Sequence, residues 1–488
     1  MMFAEYVYEK SSAQYSDKLL LIDDEQLNNK TNFTAAFSAH GFEVVYYTDD
    51  LSFRLNYEDK LKAAGTKLAV LVRSDAYVPY DIHRRLRAYV VSLATLFPKL
   101  NAETLQEKSL VDLDLLATAY SSNYETYRSR HETEQYLRME VYTEANVKNY
   151  LKDRLKGLLD RVKMAQTHVE WFSIAEEKAE LDVMAVQYDI DLNTEDINRK
   201  FQGYVLEKYG KLSTNIDKNT PVLVSKAMDF MHDHSDKFIL IVMDGMSEFD
   251  WRIISKSFEN IQYEQAAAFA MVPTTTSVSR QCLLSNKYPS QLMEPWKQGK
   301  EKAEFFACAK SLGYSDTQIG YERGYDAQFG AFVRCGAVII NDVDDMVHAQ
   351  PQGRLGMFND ITVMANQRKL VDMVKRFLAS DFDVYISSDH GNTACTGFGK
   401  LMGTGVEMET KSRKFLVLRD FADKEKLMEK YNFVEFPKYY LPKENDYLIC
   451  DIGESLDAKG EDVMTHGGLS IDEVVVPFIT IKAVQNNG

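Results

Sequence analysis

The sequence predicts an α/β protein whose C-terminal half forms a mostly parallel sheet flanked by helices. From residue 238 onward, apolar runs of strand length alternate with amphipathic stretches of helical length. The runs are continuously apolar, which is typical of parallel strands that helices cover on both faces. The 488 residues amount to roughly three average domains, so the chain has room for further domains before this sheet.

A small α/β domain is predicted over residues 1–100. Apolar runs at 19–22, 44–47 and 68–72 have the length of strands, and residues 32–40 form a predicted helix between the first two. Strands joined by such crossover segments usually pair in parallel.

A helical connector domain is predicted over residues 101–220. No proline occurs between Pro98 and Pro221, and apolar residues recur at helical spacing, for example at Leu151, Leu155 and Leu158.

The third predicted domain covers residues 221–488. Thr220 and Pro221 fit the start of a helix that runs through Met231, because threonine caps helices and proline is tolerated at the first helical position. The predicted strands that follow are Phe238–Met243, Ala267–Val272, Ala337–Ile340, Val384–Ile386, Phe415–Leu418 and Val474–Ile481.

Composition and charge exclude several classes of protein. The chain has 45% hydrophobic and 27% charged residues, which argues against a disordered or collagen-like protein. The net charge of −16 argues against a general positive field that would bind nucleic acid. Five widely spaced cysteines without a CxxC pair fit reduced thiols. No export signal and no apolar stretch of about 20 residues is found, so we expect a cytoplasmic protein without membrane association.

Carboxylates and imidazoles follow or precede four of the predicted strands. In open α/β sheets, ligands bind beyond the carboxyl ends of the strands. Together these residues offer the oxygen and nitrogen ligands that suit zinc or manganese, and two ions about 4 Å apart could clamp a phosphoryl group. The residues are Asp244, Asp342, Asp344, Asp345, His348, Asp389, His390 and His466, with Asn341 and Lys411 as further polar residues near the predicted site.

A hydroxyl nucleophile is offered by three threonines, Thr274, Thr275 and Thr276, directly after an apolar run. A neighbouring divalent cation lowers the pKa of such a hydroxyl. The same residues could instead cap a helix that runs through Leu284, and both roles are compatible, because a helix N-terminus also favours a bound phosphate.

The order of these motifs is similar to that of the alkaline phosphatase superfamily, and of its phosphodiesterase branches in particular. The motifs are Asp-Gly, Pro-Thr-x-Thr, Asp-x-x-x-His, Asp-His-Gly and His-Gly-Gly. More narrowly, residues 272–280 and 466–477 resemble the PglZ family, which is known from BREX-type anti-phage systems and from a response regulator that carries the same module. The resemblance covers roughly residues 221–485 and implies an alkaline phosphatase-like fold for that part.

The resemblance also implies roles for individual residues. Thr276 would be the nucleophile, with Thr274 and Thr275 as alternatives. One metal ion would be held by Asp244, Asp389, His390 and the Thr276 oxygen, and the other by Asp344, His348 and His466. The four-residue spacing of Asp344 and His348 fits one face of a helical turn, although Asp342 and Asp345 compete with Asp344.

Arg280 is a second predicted catalytic residue. It lies four residues after Thr276, hence on the same face if a helix begins there, and could pair with non-bridging phosphate oxygens.

The function implied by the resemblance is a metal-dependent phosphodiesterase, a hydrolase acting on nucleotide or nucleic-acid phosphodiesters. It would use two divalent metal ions, zinc or alternatively manganese, and would act in phage defence with protein partners in a defence complex. A phosphomonoesterase or phosphomutase on the same scaffold is one alternative. A non-catalytic, metal-binding scaffold subunit of the complex is the other.

Overall fold

The fold is described from a computed structural model that covers residues 2–73, 75–107, 112–120, 126–259, 261–399, 406–407, 413–419 and 424–483. The chain divides into two compact units, Met1–Tyr150 and Leu151–Gly488. The predicted domain limits after residues 100 and 220 stay predictions.

The first unit contains a parallel sheet. Its strands are β1 Lys18–Ile22, β2 Glu43–Tyr46, β3 Leu68–Val72 and β4 Arg87–Val90. The strand order is β2-β3-β1-β4, and every neighbouring pair is parallel. The three predicted strands are therefore present. The sequence did not reveal β4, because this strand is largely exposed and has no apolar run.

The helices of the first unit are α1 Phe3–Lys10, α2 Leu27–Thr31, α3 Thr34–Ala39, α4 Asp50–Lys62, α5 Tyr80–His83, α6 Leu93–Leu96, α7 Ala102–Glu107, α8 Leu113–Tyr120 and α9 Arg130–Tyr136. The helix predicted over residues 32–40 is present as α3 Thr34–Ala39 and starts two residues later than predicted, because Asn32 is the residue that ends the preceding helix α2. This residue has a φ of +48°, a left-handed conformation that asparagine tolerates and that ends α2.

The second unit contains thirteen strands among its described residues. They are β5 Phe238–Met243, β6 Glu264–Phe269, β7 Ile319–Arg323, β8 Cys335–Ile340, β9 Asp383–Ser387, β10 Thr393–Gly397, β11 Val406–Glu407, β12 Phe415–Leu418, β13 Phe433–Glu435, β14 Asp446–Cys450, β15 Glu454–Ser455, β16 Asp462–Thr465 and β17 Val475–Ile481. Six of them form the main sheet in the order β6-β17-β9-β5-β8-β7. β17 is the one strand of this sheet whose direction is opposite to that of the other five, which confirms the predicted mostly parallel α/β fold.

The helices of the second unit, together with one that spans the division, are α10 Glu144–Met164, α11 His168–Gln187, α12 Glu195–Lys208, α13 Ala227–His234, α14 Glu248–Ile254, α15 Thr276–Ser285, α16 Glu301–Ser311, α17 Asp342–Ala349, α18 Gly353–Asn366, α19 Lys369–Leu378, α20 Lys424–Lys430 and α21 Ile471–Val474. Helix α11 begins with a capping box. The Thr167 side chain accepts from the backbone N–H of Glu170, and the Glu170 side chain accepts from that of Thr167.

The core of the second unit lies on the main sheet. All six residues of β5 are buried, as expected for a strand covered on both faces. On one face, Ile241 belongs to an apolar cluster that includes Trp251 of α14 and Met357 of α18. This burial explains why the strand is a continuous apolar run in the sequence.

The predicted helix start at Thr220 and Pro221 is wrong, although the helix through Met231 is present as α13. The Thr220 hydroxyl donates to the Ala267 carbonyl at 2.6 Å, and Leu223 forms an isolated parallel bridge with Phe269. This segment is therefore tied to β6, and the helix starts only at Ala227. The predicted strand Ala267–Val272 is shifted, since β6 already ends at Phe269.

The predicted strand Phe415–Leu418 exists, but it is not in the main sheet. It is β12 of a separate sheet with the order β11-β12-β14-β13, in which the strands pair antiparallel. An apolar run of four residues shows that a strand is buried but carries no information about which sheet it joins.

Two further properties concern the chain as a whole. In the part of the chain that the structure describes, none of the helices combines the length and apolar character needed to cross a bilayer. All five cysteines are buried and none is in a disulfide.

The packing of the main sheet is tested by a pair of identical substitutions. Val338 of β8 is fully buried and Val363 of α18 is 59% exposed. We expect Val338→Ala to lower the free energy of unfolding by about 2 kcal/mol, because two buried methyl groups are lost and a cavity remains. Val363→Ala should change it by less than about 0.5 kcal/mol.

Tryptophan fluorescence during denaturant unfolding measures this difference. The three tryptophans, Trp171, Trp251 and Trp296, all lie in the second unit, so the signal reports that unit alone. Equal effects of the two substitutions would contradict the burial described here.

Candidate active site

The parallel strands bring the predicted aspartates to one edge of the main sheet. β8, β5 and β9 are neighbours that run in the same direction, so their carboxyl ends meet. Asp244 follows β5, Asp389 follows β9, and α17 with Asp344 begins shortly after β8. Asp244 and Asp389 are almost completely buried.

Gly245 allows the segments that carry these aspartates to approach each other. Its φ is +73°, a left-handed conformation that favours glycine, and a Cβ atom there would lie 3.3 Å from the Cα and Cβ atoms of Asp344. Its backbone N–H donates to Asp389 Oδ1 at 3.3 Å. The Asp-Gly sequence thus serves close packing of the site as well as the turn.

Of the three candidate threonines, Thr276 lies at the aspartates and histidines. Its Oγ1 is 3.0 Å from His390 Nε2 and 3.5 Å from Asp244 Oδ1. The Thr274 hydroxyl instead bonds to the backbone of the His-Gly-Gly segment. Thr275 is the N-cap residue of α15, without a side-chain cap bond. Thr276 is therefore the first residue of a helix whose N-terminus favours a bound phosphate.

Two buried histidines present the nitrogen that a metal ion needs. His390 Nδ1 is 3.0 Å from the Gly391 carbonyl, and His466 Nδ1 is 2.8 Å from the Thr274 carbonyl. Because a carbonyl only accepts, each Nδ1 carries the proton, which leaves the lone pair on Nε2. The two rings stack with centroids 4.0 Å apart.

Among the residues that the structure describes, potential metal ligands form two groups of three, and within each group the ligand atoms lie within 4.8 Å of one another. His390 is shared between them. The first group is Asp244, Asp389 and His390, and the second is Asp344, His390 and His466.

His348 stands beside the second group. Its Nε2 is 3.5 Å from Asp344 Oδ1, and its side chain is 38% exposed. Of the three candidate aspartates of α17, Asp344 has a ligand atom within 4.8 Å of those of His390 and His466, whereas Asp342 and Asp345 belong to neither group. The prediction for Lys411 falls outside the described residues.

The donor atoms of both groups fit divalent cations. Carboxylate and imidazole are the ligands that zinc and manganese share. Asp389 Oδ2 is buried and has no hydrogen-bond partner in the described part of the chain. A buried carboxylate oxygen without a partner is costly unless a cation or proton accompanies it.

The pKa values of the site follow from burial. Burial raises the pKa of Asp244 well above its usual range, and the charge of Asp389 adds to this while Arg280 opposes it. Burial likewise raises the pKa of Asp389 to about 6. Burial and repulsion from His390 lower the pKa of His466 to about 4, so this imidazole is neutral at neutral pH, as a metal ligand must be.

Arg280 lies in this cluster as a completely buried side chain. Its Nη1 donates to Asp244 Oδ2 at 2.5 Å, and its Nε donates to Glu301 Oε2 at 2.6 Å. Burial alone would lower its pKa, but Asp244 and the other carboxylates outweigh burial and raise it. The predicted contact of Arg280 with phosphate oxygens stays a prediction.

Several residues that shape the site were missed in the sequence. The Ser388 hydroxyl is 2.7 Å from the Met243 carbonyl, and the Ser279 hydroxyl donates to the Asp389 carbonyl at 2.5 Å. Their only signal was their position beside the motif residues. Nothing in the sequence indicated a role for Glu301, because it lies next to no motif. Only the folding of the chain brings it to Arg280.

Comparison with solved structures gives distant likenesses. Mouse ectonucleotide pyrophosphatase/phosphodiesterase 5, in an inactive form with AMP, is 11% identical with a TM-score of 0.38 over 50% of this chain and 88% of its own. The human protein of that name is 14% identical with a TM-score of 0.36 over 50% and 87%. Phosphonoacetate hydrolase from Sinorhizobium meliloti, with phosphonoformate, is 11% identical with a TM-score of 0.33 over 52% and 92%. With TM-scores this low, these likenesses carry no argument about the chain.

No curated protein matches the chain. A family model does match it, over residues 222–481, and is described as the BREX system PglZ alkaline phosphatase-like domain. The matched segment contains Asp244, Thr276 and His466 and makes up more than half of the sequence. The chain therefore belongs to the PglZ family of alkaline phosphatase-like proteins.

Proposed function

We propose that this protein is a metal-dependent phosphodiesterase that hydrolyses nucleotide or nucleic-acid phosphodiesters. Its membership of an alkaline phosphatase-like family supports a phosphoesterase, and hence a hydrolase. One observation carries the proposal. The Thr276 hydroxyl lies 3.0 Å from His390 Nε2 and 3.5 Å from Asp244 Oδ1, at the N-terminal end of α15.

Thr276 is the proposed nucleophile. Its Oγ1 attacks phosphorus and forms a phosphothreonine, while the bond from phosphorus to the leaving oxygen breaks. The proton that the hydroxyl loses is transferred to the leaving alcohol. Water then cleaves the bond between phosphorus and Oγ1, and the threonine hydroxyl regains its proton. The N–H groups at the start of α15 favour the anionic phosphate throughout.

We assign two sets of ligands to two divalent cations, and only the first set includes the Thr276 oxygen. One cation would be held by Asp244, Asp389, His390 and Thr276 Oγ1, and the other by Asp344, His348 and His466. When bound, the cations lower the pKa of the hydroxyl and offset the charge on the phosphoryl oxygens. The mixed carboxylate and imidazole donors support zinc, with manganese as the alternative.

Arg280 remains a proposed catalytic residue. Two of its nitrogens are bonded to Asp244 and Glu301. Its Nη2 is buried and makes no hydrogen bond to any described residue, so it has a donor left for a non-bridging phosphate oxygen.

The biological setting belongs to the same proposal. The description of the matched family names the BREX system, and this supports a role in anti-phage defence with protein partners in a complex. The specificity for diesters rests on the resemblance to phosphodiesterase branches. Five buried cysteines without a disulfide are consistent with action in the reducing cytoplasm.

Substitution of Thr276 tests the nucleophile. We expect Thr276→Ala to lower kcat on bis(p-nitrophenyl) phosphate by at least about 1,000-fold, because the attacking oxygen is lost. Thr275→Ala is the matched control, and it should retain activity within about tenfold because its hydroxyl makes no cap bond. Full activity of Thr276→Ala would rule out the mechanism. Faster turnover of p-nitrophenyl phosphate than of the diester would favour a phosphomonoesterase.

Substitutions of two adjacent aspartates in α17 test the proposed metal ligands. Asp344→Asn should lose one of two bound ions, as counted by elemental analysis of purified protein, because it removes a carboxylate from the second group. Asp345→Asn, at an exposed position, should keep both. A chelator should abolish diesterase activity. Turnover that survives the chelator, or equal metal content in the two variants, would contradict the ligand assignment.

A further inference from the structure

The segment that follows His466 is packed against the loop that carries His390. A Cβ atom on Gly391 would lie 1.9 Å from the carbonyl oxygen of Asp472, so only glycine fits there. The Gly391 N–H donates to the Glu473 carbonyl at 2.9 Å. The placement of both histidines therefore depends on where residues 466–474 sit.

A lysine from helix α11 holds this segment. Lys178 Nζ donates to both carboxylate oxygens of Asp472, at 2.7 and 2.9 Å, and to Asp182 Oδ2 at 2.7 Å. Arg354 of α18 bonds to the same two aspartates, at 3.3 and 2.9 Å. The Lys178 side chain is only 1% exposed.

The four charges balance, since two cations face two carboxylates. Burial would raise the pKa of Asp472, but the charges of Lys178 and Arg354 outweigh burial and lower it, so this carboxylate is ionised. A buried ionised carboxylate depends on its partners, because removing one leaves uncompensated charge in a poorly solvated place. Lys178 is thus matched to Asp472 and is not an incidental surface lysine.

Helix α12 holds the same segment at the neighbouring residue. Asn198 Oδ1 accepts the backbone N–H of Ile471 at 3.0 Å, and Asn198 is itself 8% exposed. Lys178 and Asn198 both precede the matched family segment, which starts at residue 222. Two helices outside that segment therefore contact the same short stretch beside the site.

We propose that Lys178 is a positioning residue of the metal site. By holding Asp472, it fixes the segment that carries His466 and, through the contact of Asp472 with Gly391, the loop that carries His390. The functional catalytic unit therefore includes α11, beyond the matched family segment. This inference rests on the proposed function insofar as the two histidines bind metal.

The test uses the full chain and three variants. Lys178→Met removes the charge but keeps the length of the side chain. Lys178→Met combined with Asp182→Asn removes one cation and one carboxylate, so Arg354 and Asp472 remain with no net charge. This double variant replaces the single variant if the latter does not fold. Lys482→Met is the control for losing a lysine–carboxylate bond away from the site, because the half-exposed Lys482 binds the carboxylate of Asp383 at the start of β9.

Two measurements distinguish positioning from general stability. Hydrogen exchange of the metal-free protein, followed by mass spectrometry, should show that residues 389–393 and 466–474 lose protection in both Lys178 variants and keep it in Lys482→Met. Calorimetric titration with Mn²⁺ should show affinity at least about tenfold weaker than wild type for the Lys178 variants only.

Two outcomes would overturn the proposal. One is a folded Lys178 variant whose exchange in these two segments matches the control. The other is a Mn²⁺ affinity of that variant within twofold of the control. If the wild-type protein binds neither Mn²⁺ nor Zn²⁺, the proposed function fails instead. The exchange data then decide separately whether Lys178 holds the segment.

Discussion

The site is governed by two carboxylates, those of Asp244 and Asp389, which are buried close together at the edge of the main sheet. Water cannot screen their charges there, so the charge of Asp389 raises the cost of ionising Asp244. Arg280 supplies one compensating charge by bonding to Asp244. Asp389 Oδ2 lacks a hydrogen-bond partner among the described residues, so a proton or a further cation is needed to offset the cost of burying it. The Thr276 hydroxyl lies 3.5 Å from Asp244 Oδ1, so in the proposed function such a cation would act on this hydroxyl.

Such a cluster is stable only if the backbone around it is fixed by other interactions. Hydroxyl groups of Ser279 and Ser388 bond to main-chain atoms at the ends of the strands, and Thr274 bonds to the His-Gly-Gly segment. Lys178 holds the same segment from outside the matched family domain. Each of these contacts joins residues that are far apart in the sequence. The site is therefore a property of the whole second unit, not of the motifs alone.

The sequence predicted those parts of the site that depend on one strand at a time. Asp244 and Asp389 each follow a continuous apolar run, and parallel strands place such residues at one edge. The partnership of Arg280 with Glu301 could not be predicted, because no local pattern relates the two residues and only tertiary packing joins them. The contact of Lys178 with Asp472 could not be predicted for the same reason, since a lysine on a long amphipathic helix usually faces solvent. The local pattern of apolar residues predicts helices and strands and where they end. Which charged residues of different helices and strands pair with each other is known only from the three-dimensional structure.

The central claim is that these side chains hold two divalent cations beside the Thr276 hydroxyl. A crystal structure of the protein grown with Mn²⁺, with anomalous scattering data, measures this directly. We expect two anomalous peaks about 4 Å apart, one near Asp244 and Asp389 and one near Asp344 and His466. Ordered crystals grown with Mn²⁺ and with Zn²⁺ in which neither metal gives a peak at these residues would contradict the account.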